Sequence, residues 1–144
     1  MIDSHAPLLE EMRIRHVLEQ YCAALDRGDL DGLAELFDED CSFGMMGRSY
    51  QGRAEILRAW ERLACTERPA TLHALVNPVI TVDGDRATAV SGWAMIDRRG
   101  ADGFTAVAMA GHYHDSLSRG SDARWRFTSR RVQTLARSVQ SYGA

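Results

Sequence analysis

The chain has 144 residues, an apolar share of 45%, a charged share of 26% and a formal charge of -3. That is ordinary for one soluble globular domain and too short to favour two. The acidic balance, with a pI near 5.9, offers no basic footprint for nucleic acid, and no apolar run is long enough to span a bilayer. Without a charged leader ahead of an apolar block, a cytoplasmic protein is expected.

From Leu8 to Arg27, apolar residues recur at three- and four-residue spacings, which predicts an amphipathic helix ended by Gly28. Asp29 can cap a second, shorter helix reaching Phe37. Cys41 to Met46 reads as a short strand, and Gly52 precedes a third helix, Arg53 to Ala64, with a stripe of Ile56, Leu57, Trp60 and Leu63. Beyond Pro69 the pattern becomes β. Strands are predicted over Thr71–Val82 and Arg86–Asp97, joined at Asp83-Gly84-Asp85, then over Gly103–Leu117 and Arg124–Leu135. Helices followed by a four-strand meander give an α+β class, a single domain with a core from about residue 10 to 135 and a frayed tail over 138–144.

Cys22, Cys41 and Cys65 lie far apart and form no CxxC pair, so buried thiols are expected rather than disulfides or a zinc ribbon. Neither a GxSxG elbow nor a phosphate-binding loop is present. His112 and His114 form an H-x-H pair that would need further ligands, so no metal is assigned.

The chemistry concentrates on four residues. Asp26 sits in the last turn of the first helix, where orphan carbonyls and the negative dipole end disfavour a carboxylate, so a compensating partner is required. Paired with a surface base it is structural; turned inward it can orient a histidine. His73, on a mostly apolar strand, suits that partner, because a carboxylate on one ring nitrogen fixes the tautomer and stabilises the imidazolium. Tyr21 lies five residues earlier, roughly 140° around the helix from Asp26, and belongs to the apolar stripe unless a pocket opens at the helix end. Alternation on the third predicted strand places His112 with Phe104, Ala106, Ala108, Ala110 and His114, above small side chains that leave room for a ligand.

Two runs, Tyr21-Cys-Ala-Ala-Leu-Asp26-Arg-Gly-Asp-Leu-Asp-Gly-Leu-Ala-Glu-Leu-Phe37 and Gly52-Arg-Ala-Glu-Ile-Leu57, are similar to the SnoaL-like branch of the nuclear transport factor 2-like superfamily. Thr71-Leu-His73 with Asn77-Pro78, Gly111-His112-Tyr113-His114-Asp115 and Trp125-Arg-Phe127 fit as well. The resemblance implies a cone-shaped α+β barrel, a curved and mostly antiparallel sheet wrapped on three N-terminal helices, commonly a homodimer through the outer sheet face. Asp26 and His73 match the dyad of the scytalone dehydratase and lindane dehydrochlorinase types. His112 matches the second histidine of the former, and Tyr21 the tyrosine of the bile acid dehydratase type. The carboxylate base of ketosteroid isomerase has no counterpart in Cys41–Met46.

The expected function is a cofactor-free dehydratase acting on an apolar, ring-containing hydroxy or keto small molecule. His73, oriented by Asp26, would take a proton from carbon while Tyr21 and His112 bind oxygen. Phe43, Trp60, Trp93 and Ala110 are expected to line the pocket, with Thr128 or Arg130 as polar support. A cyclase or isomerase with the same residues, and a non-catalytic binding or assembly subunit, are the alternatives.

Overall fold

The computed structural model describes residues 5–64, 71–98 and 105–137. Its order is α1 (Ala6–Arg27), α2 (Leu30–Glu35), β1 (Phe37–Met45), β2 (Arg48–Gln51), α3 (Arg53–Ala64), β3 (Thr71–Asp83), β4 (Arg86–Arg98), β5 (Thr105–Arg119) and β6 (Trp125–Arg137). The α+β class holds. The predicted meander is the β3–β6 part of a larger six-stranded sheet ordered β2-β1-β6-β5-β4-β3, in which β1 runs parallel to β6 and every other pair is antiparallel.

Local chemistry explains the helix ends. Gly28 adopts a left-handed φ of 66°, and its backbone N–H donates to the last carbonyls of α1. One residue on, the Asp29 carboxylate accepts from the Gly32 N–H at 2.8 Å and caps α2. Helix α2 is shorter than predicted, because Phe37 already pairs with Phe127 and starts β1. Helix α1 packs on β3 and β6, and α3 on β1 and β2, so the helices and the inner sheet face enclose one core.

The core is layered. Phe37, Phe43, Phe127, Tyr21, Tyr113, Trp60 and Leu117 fill its closed part, with edge-on contacts from Tyr21 to four of these rings at 5.8–6.5 Å. Within this aromatic packing lies a full ion pair. Arg130 Nε and Nη2 each donate to Asp115 at 2.8 Å, and both side chains are wholly buried. The two residues face each other across β5 and β6, and the guanidinium carbon sits 4.0, 4.1 and 4.2 Å from the ring centres of Tyr21, Tyr113 and Phe127. Burial alone would lower the Arg130 pKa, but the Asp115 charge and its hydrogen bonds outweigh that and raise it. Desolvation also pushes the Cys22 and Cys41 thiols up, to about 11 and about 12, so both stay protonated at neutral pH. Cys65 lies outside the described residues.

Two strand features shape the inner wall. At β5–β6 the register shifts between Ala110 and Gly111. A Cβ on Gly111 would fall inside the Gln133 carbonyl oxygen and 2.9 Å from its carbon, so only glycine lets β6 approach so closely. Gly111→Ala should therefore cost roughly 1–3 kcal/mol, read by thermal unfolding, whereas Gly44→Ala, whose new Cβ meets nothing nearer than 3.8 Å, serves as a mild control. Equal losses in the two variants would contradict this account. For the ion pair, Arg130→Met should cost about 3–5 kcal/mol in urea denaturation by stranding a buried carboxylate, and Asp115→Leu added to it should recover most of that loss. A single-variant loss under about 1 kcal/mol would show that Asp115 is not stranded.

Candidate functional site

The required partner of Asp26 is His73. Helix α1 delivers the carboxylate at its C-terminal end, and β3 delivers the histidine near its start. The His73 backbone N–H donates to both Asp26 oxygens, at 3.0 and 2.9 Å, and His73 Nδ1 lies 2.6 Å from Oδ1. A carboxylate can only accept, so Nδ1 carries the proton and Nε2 keeps the free lone pair. The side chains are 9% and 16% exposed, mostly desolvated yet still reachable. Chemically this is a base with a fixed tautomer and a counter-charge for the imidazolium.

Alternation along the strands defines what shares the interior with the dyad. On β5, Gly111, Tyr113, Asp115 and Leu117 are buried, whereas His112 is exposed. The predicted parity of this strand is thus reversed: His112 and Ala110 face outward, and His114 joins them, its Nε2 3.1 Å from Gln133 Oε1. The reason is burial. The observed parity takes Tyr113 and Leu117 into the core, with Asp115 neutralised by Arg130, against which a row of alanines offers little apolar area. Phe104 and the side chain of Ala106 lie outside the described residues. Among the described residues no group of three His, Cys, Asp or Glu side chains could hold a metal.

The other expected residues separate by depth. Tyr21 lies in the closed layer against Arg130, and burial, partly offset by the Arg130 charge, pushes its phenol pKa up so that it stays protonated. Phe43 and Trp60 pack beside it, with ring centres 5.9 Å apart. Trp93 is buried and stacks on Tyr113 at 5.6 Å. Thr128, half-buried, sits at the register shift between β5 and β6 rather than in regular alternation. Arg130 is wholly interior. The sequence reading missed Asp115 and Tyr113. An unpaired arginine on an inward position of β6 was the available signal, because its buried charge demands a carboxylate on the neighbouring strand.

Comparison with known proteins bears on the family and the fold. The sequence matches the family model described as SnoaL-like domain over residues 6–131. No curated protein matches it significantly. Among solved structures, Rv3472, a protein of unknown function from Mycobacterium tuberculosis, is 26% identical with a TM-score of 0.81, covering 92% of this chain and 78% of that one. A candidate scytalone dehydratase from Novosphingobium aromaticivorans is 25% identical with a TM-score of 0.80, covering 95% and 91%. A candidate NTF2-like dehydratase from Streptomyces avermitilis is 17% identical and shares the fold, with a TM-score of 0.77 over 90% and 99%. This chain belongs to the SnoaL-like domain family.

Proposed function

We propose that the protein is a cofactor-independent dehydratase acting on an apolar, ring-containing hydroxy ketone. The observation that carries this reading is the Asp26–His73 pair, whose 2.6 Å hydrogen bond leaves Nε2 as the free base. Nε2 takes the proton from the carbon next to the carbonyl, and the C–H electrons pass into an enolate. As the enolate collapses, the new C=C bond expels the β-hydroxyl, which leaves as water with a proton returned by the imidazolium. Asp26 stabilises the charged ring between these two transfers.

An interior donor supports an oxygenated substrate. Trp93 Nε1, one row inward from His73, is buried without a hydrogen-bond partner among the described residues, an arrangement that favours an incoming acceptor. His112, on the outer face, takes no part in this scheme. That face also exposes Val76, Val79 and Val90 on β3 and β4, which supports pairing of two copies through the sheet.

The reading is tested with a panel of hydroxylated polycyclic ketones, following dehydration and, in D₂O, exchange of the proton next to the carbonyl. His73→Ala should lower both rates by about 10²–10⁴. Asp26→Asn should lose a similar factor, since an amide N–H facing Nδ1 selects the other tautomer and occupies Nε2 with a proton. Rates unchanged in both variants would remove the dyad from the chemistry.

A further inference from the structure

Taking a proton from the carbon next to a carbonyl puts negative charge on the carbonyl oxygen, which then needs a donor. Neither expected donor serves: His112 faces outward, and Tyr21 lies in the closed layer against Arg130. Trp93 is placed differently. It pairs with Leu75, two residues beyond His73 on the inner face of β3, while His73 pairs with Met95, two residues beyond Trp93 on β4. Diagonal neighbours of this kind stand about 7–8 Å apart, a span suited to a ketone held between them. Trp93 stacks on Tyr113 with their planes 18° apart, which fixes the ring, and its Nε1 is buried with no hydrogen-bond partner among the described residues. Trp125, by contrast, spends its Nε1 proton on Glu10 at 2.6 Å. A buried donor left unpaired is costly, so Trp93 Nε1 marks where an acceptor is due.

Which oxygen it serves follows from the indole itself. An indole N–H donates, cannot accept, and keeps its proton. It therefore suits an oxygen that gains charge and later returns it, and not a hydroxyl that must leave as water with a transferred proton. That proton comes from the His73 imidazolium. We propose that Trp93 Nε1 donates to the ketone oxygen and holds the enolate, so that the substrate binds with its carbonyl inward. The C–H proton passes to His73 Nε2, the C–H electrons pass into the enolate, and the indole proton stays on nitrogen throughout. Exposure rises from buried Trp93 to half-buried Met95 beside His73, so the β-hydroxyl lies on the outer side, where water can depart. This rests on the Asp26–His73 pair being the reacting centre. It adds the oxygen donor and the orientation of the substrate.

The test compares the wild type with Trp93→Phe, which keeps an aromatic ring against Tyr113 and deletes the N–H. The probe is trans-1-decalone, a ketone without a hydroxyl, so only binding and enolate formation are read. In ¹H–¹⁵N spectra of the wild type, saturating ketone should move the Trp93 indole proton downfield. The carbonyl stretch of the bound ketone should lie at lower frequency in the wild type than in Trp93→Phe. That substitution should weaken binding about three- to tenfold and slow exchange of the proton next to the carbonyl in D₂O by about 10². A merely structural role would move neither the indole proton nor the stretch. An indole proton unmoved at saturation, no binding of the ketone, or exchange in Trp93→Phe as fast as in the wild type would overturn the proposal. The spectra involve no turnover, so failure of the dyad itself shows separately, as exchange indifferent to His73→Ala with the indole shift intact.

Discussion

A carboxylate in the last turn of a helix faces the negative end of the dipole and a set of unpaired carbonyls, so Asp26 depends on what β3 brings to it. What arrives is one residue presenting two donors: the His73 backbone N–H, shared between both oxygens, and Nδ1. The same contact closes α1 onto β3 and sets the orientation of the imidazole. Structural and chemical roles are thus inseparable at Asp26. Any side chain that cannot accept from the β3 backbone would disturb the helix–sheet join as well as the base.

Beneath the dyad the interior is rigid for a different reason. A buried arginine is costly unless paired, and Arg130 is paired twice with Asp115 and enclosed by Tyr21, Tyr113 and Phe127. This packed, charged layer gives the half-buried row of His73, Met95 and Met109 a firm base. The arrangement suits acid–base chemistry, in which a positioned group must hold its geometry while a proton moves.

The elements with strong local signals were legible in the sequence: α1 by its apolar spacing and Gly28, α3 by its stripe, and β3 and β4 by the Asp83-Gly84-Asp85 turn. The β1–β2 hairpin was not, because its two-residue turn uses Met46 at φ 53° before Gly47, where Asn or Asp is the usual signal. Nor was the parallel pairing of β1 with β6, which joins segments about 90 residues apart and leaves no local trace. Asp26 and His73 could be paired in advance because a helix-end carboxylate needs a donor. His112 could not be placed, since alternation divides a strand into two faces without saying which is inner. That choice was made by the larger apolar area of Tyr113 and Leu117 and by the Asp115–Arg130 pair.

The central claim is that Asp26 holds His73 with its proton on Nδ1 and its lone pair on Nε2. Long-range ¹H–¹⁵N correlation on ¹⁵N-labelled protein, at a pH where the ring is neutral, reads this tautomer directly. The account predicts a protonated, pyrrole-like Nδ1 and an unprotonated, pyridine-like Nε2 for His73, with the pattern lost in Asp26→Asn. A neutral His73 carrying its proton on Nε2 in the wild type would contradict it.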